Sequence, residues 1–360
     1  MSIENDSAPN RSPEDPADLL NFSLEALIQW LDRHGVAAYR GRQILKWIYR
    51  RDTTDFEAMT DLNKPLRRML ADNFRTTVME LVDEQRSRDG SRKFLFRLAD
   101  GNHIETILIP ERGHSTLCIS SQVGCALGCR FCRTGQGGLV RNLTQGEILS
   151  QIREVHSRLD KPSSLTNIVF MGMGEPLSNY IPVTGSLAVM TDSEWGMAFS
   201  PRRVTLSTAG IVPRLKDLGK MTQVNLAISL NAADDTTRNA LMPINKTYPL
   251  ESLLEACRSY PLAPRRRITF EYILMEGVND DPPAARKLCK ILRPIRAKIN
   301  LIPFNPHPGS DFKRPSPERI AAFQQILLNQ NYPAMVRHSK GDDIAAACGQ
   351  LWANAEAGQL

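Results

Sequence analysis

The stretch GCALGCRFCRTGQ, residues 124–136, places three cysteines within eight residues: Cys125, Cys129 and Cys132. Their spacing is C-x3-C-x2-C, and Gly124 and Gly128 allow the chain to curl so that the three sulfur atoms converge. Three thiolates are one fewer than a closed structural metal site requires. A fourth ligand must therefore come from elsewhere in the chain or from a bound small molecule.

The cysteine stretch directly follows the first of six apolar, β-branched runs. The runs are TLCISS (116–121), NIVFMG (167–172), RVTLST (203–208), VNLAISL (224–230), RITFEYIL (267–274) and KINLIPF (298–304). Helices are predicted between the runs, at 144–159, 212–219, 249–259, 282–293 and 316–330. Buried strands joined by helices form a parallel sheet. Six such units predict an α/β fold with a partial (β/α)6 TIM-like barrel, and a flat doubly wound sheet is the alternative.

The position of the cysteines in this pattern predicts chemistry. Barrels and open α/β sheets place their sites in loops at the C-terminal ends of strands. Zinc motifs favour paired C-x2-C units, and the sequence has no second pair. A [4Fe-4S] cubane held by only three thiolates leaves one iron without a protein ligand. We therefore expect a cubane whose fourth iron binds a small molecule.

The rest of the chain divides by composition into further segments. The predicted parts are a disordered lead-in (1–20), a basic helical accessory domain (21–75), a β-hairpin extension around Asp100-Gly101 (76–112), the barrel (113–340) and a C-terminal segment with a cysteine loop (341–360). The sequence contains no run of eighteen apolar residues, which predicts no membrane span. Its polar, acidic start lacks the layout of a secretory signal.

Charge and cysteine content narrow the function class. Lys and Arg number 45 against 39 Asp and Glu, a net charge of +6. Basic residues cluster at Arg40, Arg42, Lys46, Arg50 and Arg51, and again at Arg265, Arg266 and Arg267. The clusters fit a nucleic-acid partner, although taken alone they are typical of a solvated surface. Seven cysteines without a secretory signal favour metal or redox chemistry over a disulfide framework, and we expect a cytoplasmic protein.

The cysteine motif after the first strand resembles the radical S-adenosylmethionine (SAM) superfamily. MGMGEP (171–176) is similar to the glycine-rich SAM-binding motif of that superfamily. Motifs along nearly the whole chain resemble the RlmN/Cfr family of adenine methyltransferases: TLCISSQVGCALGCRFC, MGMGEPLSN, RRVTLSTAG, MPINKTYP, GVNDD, INLIPFNPHPG and GDDIAAACGQL. The resemblance implies one [4Fe-4S] cluster on the three cysteines, two SAM molecules per turnover and an electron donor such as flavodoxin or ferredoxin.

The resemblance also implies a reaction and the residues that perform it. Carbon 2 of adenine is too electron-poor to attack the SAM methyl group directly. In the family, one cysteine first takes the methyl group, and its carbon radical then adds to adenine C2 in 23S ribosomal RNA or tRNA. By the motif match Cys348 carries the methyl group, Cys118 resolves the covalent RNA adduct and leaves a disulfide, and Glu105 is the proton acceptor. Cys257 and Cys289 match no motif and are expected to be inert core residues.

The family's SAM contacts carry over to residues in four motifs. These contacts are Gly174, Glu175, Ser207, Ser229, Leu230, Asn231 and Asn305. One departure occurs at Asn231, where the family has histidine and an asparagine can form hydrogen bonds but cannot carry charge. The accessory domain and Arg265–Arg267 are expected to hold RNA phosphates, while the target adenine is splayed into the barrel mouth.

Two other functions remain open from the sequence. A Cfr-type enzyme would methylate adenine at C8 with the same cluster and the same two cysteines. GMGEP and RTGQGGLVRNL favour the C2 enzyme. A non-catalytic, zinc-stabilised RNA-binding protein would explain the three cysteines and the basic clusters, but not Cys118, Cys348 or the barrel pattern.

Overall fold

The computed structural model describes residues 16–352, and its N-terminal part contains three helices. They span Leu24–Arg33, Tyr39–Arg50 and Lys64–Asn73. The hydroxyl of Ser23 accepts the Ala26 N–H at 3.1 Å and so caps the first helix. Each helix buries an apolar face, which explains why a strongly basic segment folds.

The predicted boundary of the disordered lead-in, at residue 20, is too late in the chain. Ala17–Asp18 pairs in parallel with Phe74–Arg75, and Leu19 is fully buried. The Asp18 carboxylate accepts the Leu20 N–H at 3.1 Å and thereby fixes this entry segment. The ordered part therefore begins before residue 21, because apolar burial extends to the pair of leucines. Residues 1–15 of the predicted lead-in lie outside the described residues.

The extension before the barrel contains three antiparallel strands, Glu80–Arg86, Arg92–Arg97 and His103–Glu111. The hairpin predicted at Asp100-Gly101 is confirmed between the second and third of them. The first strand was not predicted, because its sequence is largely polar. The third strand pairs antiparallel with His114–Cys118, so the extension and the barrel share one sheet.

The barrel part of the sheet contains seven parallel strands arranged in chain order. They are His114–Cys118, Leu165–Phe170, Val204–Thr208, Asn225–Ser229, Ile268–Leu274, Ala297–Pro303 and Ala334–Val336. The six predicted strands are confirmed, and the short seventh strand is an addition. A doubly wound sheet would reverse its strand order at a switch point, and this order has no reversal. The predicted α/β fold with a partial radical SAM barrel is confirmed.

Helices connect the parallel strands. They span Gln145–His156, Tyr180–Thr191, Val212–Met221, Asp235–Leu241, Leu250–Arg258, Pro282–Leu292 and Pro317–Asn329. Thr144 and Glu147 form a capping box at the start of the first of them. Two helices were not predicted, Tyr180–Thr191 and Asp235–Leu241.

Smaller elements complete the fold at the C-terminal ends of the strands. Gln122–Gly124 pairs antiparallel with Leu139–Asn142, and the short helix Arg133–Gln136 lies between them. The predicted C-terminal segment begins with the single turn Asp342–Ile344, and its residues 353–360 lie outside the described part. No helix among residues 16–352 is both long enough and apolar enough to cross a membrane.

Candidate active site at the mouth of the barrel

The three predicted cluster ligands lie on one loop at the C-terminal end of the first parallel strand. The Cys125 N–H donates to the Gly138 carbonyl at 2.7 Å, and the Cys132 N–H donates to the Cys129 carbonyl at 3.0 Å. Gly124 has a φ of 76°, and a Cβ atom there would lie 2.0 Å from the Gly138 oxygen. Only glycine fits this position without a shift of the backbone, so Gly124 allows the cysteine loop to pack closely against Gly138.

The three thiols influence one another's ionisation. Cys125 and Cys129 are each 9% exposed. Burial, followed by the charges of Cys132 and Glu175, raises the pKa of Cys125 to about 12. Burial and the other two thiols likewise raise the pKa of Cys129. Such thiols become thiolates only beside a compensating cation, which is the environment that a bound metal cluster provides.

Protein donors already point at two of the sulfur atoms. The Leu127 N–H faces Cys125, and Cys132 receives the N–H groups of Gly135 and Thr134. Hydrogen bonds of this kind stabilise cluster thiolates and tune iron–sulfur potentials. Within residues 16–352, no three His, Cys, Asp or Glu side chains are grouped to hold one metal ion. The three cysteines on one loop are the thiolate donors that a [4Fe-4S] cluster takes, each binding a separate iron, so their chemistry fits such a cluster.

A buried arginine beside the loop was not anticipated from the sequence. Arg238 is 1% exposed, and its charge opposes the rise in the pKa of Cys129. Its guanidinium donates to the carbonyl of Ala209 at 2.8 Å and to Leu230 at 3.1 Å. Burial lowers the pKa of Arg238 to about 10. In the sequence it reads as an ordinary charged helix residue, and no motif or spacing marks it.

The glycine-rich loop after the second parallel strand packs against the cysteine loop. A Cβ atom on Gly174 would lie 2.6 Å from the Cβ of Gln122, so the two loops touch through the glycine backbone. The buried Glu175 carboxylate accepts hydrogen bonds from the Thr208 hydroxyl at 2.6 Å and the Ala209 N–H at 2.8 Å. Its side chain therefore ties two strand ends together at the mouth.

Three further predicted SAM contacts, Ser207, Ser229 and Leu230, lie at the ends of the third and fourth parallel strands and differ in their hydrogen bonding to the protein. Ser207 is the penultimate residue of its strand, and its hydroxyl has no protein hydrogen bond within the described part of the chain. Leu230 is fully buried, and the Ser229 carbonyl accepts from Arg238 at 3.3 Å. Within the described residues these positions leave two hydroxyls without a protein hydrogen bond, those of Ser207 and Ser229, near the strand ends.

Asn231, which replaces the family histidine, adopts a left-handed φ of 58°. Its side-chain oxygen accepts the Ile273 N–H at 2.9 Å, and its Nδ2 lies 3.3 Å from the sulfur of Met242. Asparagine tolerates the left-handed region better than most residues do. The amide therefore holds the strand ends together, and the positive charge that a histidine could carry is absent.

Asn305 directs its side chain at the C-terminal segment. Its Nδ2 donates to the Cys348 carbonyl at 3.0 Å, and its Oδ1 accepts from Arg314 at 2.8 Å and from the Ser339 hydroxyl. The side chain of this predicted SAM contact is thus engaged with protein partners. It links the strand Ala297–Pro303 to the cysteine predicted to carry the methyl group.

Cys118 and Cys348 are brought together at the mouth. Cys118 is the last residue of the first parallel strand, and burial, followed by the nearby charge of Cys348, raises its pKa. Cys348 is exposed towards the mouth, yet the surrounding protein desolvates it and raises its pKa to about 11. Both cysteines are free thiols. The fold therefore brings the two predicted reactive cysteines from opposite ends of the barrel sequence into one site.

Glu105 lies under the C-terminal segment. Its Oε2 accepts the Trp352 N–H at 2.7 Å, and its Oε1 lies 3.3 Å from the Lys93 ammonium. Burial raises the pKa of Glu105, while Lys93 opposes that rise. A 4% exposed carboxyl with a raised pKa can hold a proton closer to neutrality than an ordinary glutamate does.

The basic clusters do not share one surface. Arg265–Arg267 precede the strand Ile268–Leu274, so they lie at the N-terminal end of the barrel, opposite the mouth. In the accessory domain, Arg42 pairs with Glu194 at 3.4 Å, and Arg50 donates to the Ser193 carbonyl at 2.6 Å. Part of this cluster therefore docks the accessory domain onto the barrel. Cys257 and Cys289 are buried on helices, as expected.

Comparisons with known proteins agree with this arrangement. Residues 17–75 match the ribosomal RNA large subunit methyltransferase N-terminal domain, and residues 119–289 match the radical SAM superfamily. A dual-specificity RNA methyltransferase RlmN from Desulfosudis oleivorans is 54% identical over 339 residues, 94% of this chain and 91% of that protein. Its counterpart from Syntrophobacter fumaroxidans is 50% identical over 337 residues, 94% of this chain and 98% of that protein. The crystal structure of a radical SAM methyltransferase from Sphaerobacter thermophilus matches with a TM-score of 0.87 at 46% identity, covering 94% of this chain and 100% of that chain.

Proposed function

The chain belongs to the RlmN family of radical SAM RNA methyltransferases, and from this premise we infer that it methylates C2 of an adenine in 23S ribosomal RNA and of an adenine in tRNA. One observation carries the assignment. The loop that carries Cys348 is hydrogen-bonded to the cysteine loop, where the Arg133 N–H donates to the Gly349 carbonyl at 2.8 Å, and the cysteine loop follows the strand that ends at Cys118, so the cluster ligands, Cys118 and Cys348 share one end of the barrel. A zinc-stabilised binding protein would have no use for this pair.

The cofactors and the protein have separate tasks in this proposal. When bound, the [4Fe-4S] cluster and SAM supply the electron, the methyl group and a 5′-deoxyadenosyl radical. Cys125, Cys129 and Cys132 would hold the cluster. The Cys348 sulfur would lose its proton as it accepts a methyl group. That methyl group would lose one hydrogen before its carbon is joined to adenine C2. Cys118 would then attack the Cys348 sulfur and break its bond to that carbon, which would release the RNA and leave a disulfide that a reductant must reopen.

Glu105 is the proposed proton acceptor for the hydrogen that leaves adenine C2. Its burial and raised pKa make it a stronger proton acceptor than an ordinary exposed glutamate. Its carboxylate also accepts the Trp352 N–H, which keeps it close to the segment that carries Cys348. The ion pair with Lys93 holds the carboxylate in its charged form until the proton arrives.

SAM is proposed to bind along the ends of the second to sixth parallel strands. Ser207 offers a free hydroxyl, whereas Gly174 and Asn231 would contribute through backbone atoms, because Gly174 has no side chain and the Asn231 amide is engaged with Ile273. Glu175, Ser229, Leu230 and Asn305 complete the proposed contacts, and Asn305 would contribute through its backbone, because its side chain is engaged with Cys348, Arg314 and Ser339. The hydrogen bonds of these residues hold neighbouring loops together and so define the shape of the proposed SAM pocket.

The partners follow from the chemistry. RNA phosphates would contact the exposed basic residues of the accessory domain, such as Lys46, and an electron donor such as flavodoxin or ferredoxin would reduce the cluster. We place the reaction in the cytoplasm, where ribosomal RNA and tRNA occur together.

Nucleoside analysis of RNA treated with the reconstituted enzyme tests the proposal. The wild-type protein and Cys289→Ala should give 2-methyladenosine in 23S RNA fragments and in tRNA, and Cys348→Ala should give none. 8-Methyladenosine would instead assign the Cfr-type reaction, which the RlmN relatives do not favour. An active Cys348→Ala variant would remove the proposed methyl carrier.

A further inference from the structure

The turn Ser87–Ser91 of the β-hairpin extension holds the segment that leads into Cys348. The Asp89 carboxylate accepts the Gly341 N–H at 3.0 Å. In return, the Asp343 carboxylate accepts the Ser87 hydroxyl at 2.6 Å and the Arg88 N–H at 3.1 Å. Each aspartate carboxylate thus accepts hydrogen bonds from the segment that carries the other aspartate. The partners are more than 250 residues apart in sequence, so the contact is purely tertiary.

The turn is rigid enough to act as an anchor. Oδ1 of Asp89 accepts the Ser91 N–H at 2.9 Å, and the Ser87 N–H donates to the Ser91 carbonyl at 2.8 Å. Desolvation would raise the pKa of Asp89, but the hydrogen bonds from Ser91, Gly341 and Ser87 hold it at about 2. Asp89 is therefore ionised at every working pH, and charge-assisted hydrogen bonds are the stronger kind.

The loop that carries Cys348 is closed on itself beyond this anchor. The Ala346 N–H donates to the Gly341 carbonyl at 2.9 Å, and the Gln350 side chain donates to Asp342 at 3.1 Å. Gly341 has a φ of 66°, which glycine adopts without strain. A displacement of Gly341 is therefore transmitted to Cys348 through a small closed loop.

The second anchor of the loop lies on the cluster side. The Arg133 N–H donates to the Gly349 carbonyl at 2.8 Å, and the Thr134 hydroxyl donates to the Leu351 carbonyl at 2.7 Å. The hairpin extension belongs to the same sheet as the strand that ends at Cys118. Two anchors on one rigid framework therefore fix where Cys348 sits relative to Cys118.

We propose that Asp89 and Asp343 are positioning residues for the methyl-transfer steps, because they clamp the Cys348 loop to the hairpin turn. The inference rests on the proposed function. It adds Asp89, which lies outside the quoted motifs, and it assigns a task to Asp343, which lies within GDDIAAACGQL. The clamp keeps the Cys348 sulfur aimed at the mouth while its methyl group is received and passed to RNA. Asn at position 89 presents one oxygen and one NH2 group where two backbone N–H groups, of Ser91 and Gly341, now donate to two oxygens, so it loses one of these hydrogen bonds. Asn at position 343 loses the charge that strengthens the hydrogen bonds from Ser87 and Arg88.

The test compares the wild type with the double variant Asp89→Asn/Asp343→Asn and with Asp83→Asn. Asp83 is exposed on the same hairpin, and among residues 16–352 its side chain is hydrogen-bonded to Gln85 alone, so its replacement removes a carboxylate charge from the hairpin without touching the loop. We expect amide exchange of residues 341–352 to speed up in the double variant alone. Its RNA methylation rate should fall by about 10- to 100-fold, as misplacement of a reacting group predicts. The 5′-deoxyadenosine released per methyl group transferred should rise to a similar extent.

The possible outcomes distinguish a failure of the proposed positioning role from a failure of the proposed methyltransferase function. A wild type that never methylates RNA overturns the proposed function whatever the variants do. An active wild type with a double variant of equal rate and equal 5′-deoxyadenosine yield overturns the clamp alone. A lowered rate with an unchanged yield per methyl group also overturns it, because that pattern marks general destabilisation. Thermal melting of both variants identifies that case directly.

Discussion

The side-chain amide of Asn305 donates a 3.0 Å hydrogen bond to the backbone carbonyl of Cys348. The amide oxygen is held by Arg314 at 2.8 Å, so the orientation of the group is fixed. A residue predicted from its motif to contact SAM therefore also secures the proposed methyl carrier. This contact joins the strand Ala297–Pro303 to the C-terminal segment at the mouth.

Asn305→Asp should impair RNA methylation with little effect on SAM binding. The variant keeps the size of the side chain, but it removes the donor and turns a carboxylate oxygen towards the Cys348 carbonyl. We expect the initial rate of methyl incorporation to fall by about 10-fold. The exposed Asn329→Asp serves as the control. A large loss of SAM affinity, measured by calorimetry, would show instead that the side chain acts on SAM.

Cys118→Ala should trap the RNA on the protein. If Cys118 resolves the adduct by attacking the Cys348 sulfur, its removal leaves the methylene bridge between Cys348 and adenine uncut. A denaturing gel should show an RNA–protein band with Cys118→Ala, and no such band with Cys118→Ala/Cys348→Ala. Cys257→Ala, which removes a buried helix cysteine, should turn over normally. A Cys118→Ala variant that releases methylated RNA at the wild-type rate would exclude the resolving role.

Glu271 should make stability depend on pH near neutrality. This buried carboxyl lies on the strand Ile268–Leu274, and burial raises its pKa from 4.5 to about 7, against the hydrogen bond from Asn300 and the charges of Arg337 and Lys298. The folded state therefore binds the proton more tightly than the unfolded chain does. The stability that this provides is fully present below pH 4.5 and is lost as pH rises through 7.

Glu271→Gln should remove that pH dependence, because glutamine is neutral throughout. Relative to the wild type, the variant's free energy of unfolding should increase by about 2 to 3 kcal/mol between pH 5 and pH 8. Urea unfolding at the two pH values measures this difference. The exposed Glu251→Gln provides the matched control. Parallel pH profiles for the wild type and Glu271→Gln would refute the shifted titration.

Gly124→Ala should prevent cluster assembly without unfolding the barrel. The added Cβ would lie 2.0 Å from the Gly138 carbonyl oxygen, so the cysteine loop must move. Gly101→Ala is the matched control, because Gly101 also has a positive φ but nothing within 4 Å of an added Cβ. After anaerobic reconstitution we expect iron and sulfide content to fall by about 10-fold in Gly124→Ala alone, as expected when a ligand loop cannot form its site. Equal iron content in the two variants would show that the loop tolerates the clash.

The sequence predicted the barrel well because its strands are buried on both faces. Apolar, β-branched runs such as 224–230 leave little ambiguity about the parallel sheet. Glu80–Arg86 escaped prediction because both of its faces carry polar residues and are partly solvent-exposed. Ala334–Val336 has only three residues, too few to establish a periodicity. Leu19 and Leu20 are buried, yet the sequence analysis assigned them to the disordered lead-in because the residues before them are polar.

Site residues that lie in recognisable motifs were predicted from the sequence. Site residues that are defined only by their packing in three dimensions were missed. Cys118 and Cys348 were named through their motif contexts, and the fold places them together. Arg238 reads as a surface charge on a short helix, and only its three-dimensional surroundings show that it is buried. The clamp between Asp89 and Asp343 depends on side-chain orientations in two loops, which no local sequence pattern encodes.

Reduction of the anaerobically reconstituted protein in the presence of SAM tests the central claim most directly, namely that Cys125, Cys129 and Cys132 hold a cubane whose fourth iron binds and cleaves SAM. We predict that dithionite produces 5′-deoxyadenosine and methionine from the wild type and from Cys257→Ala, and that Cys125→Ala produces neither. Intact SAM after reduction of wild-type protein that carries a fully assembled cluster would contradict the claim.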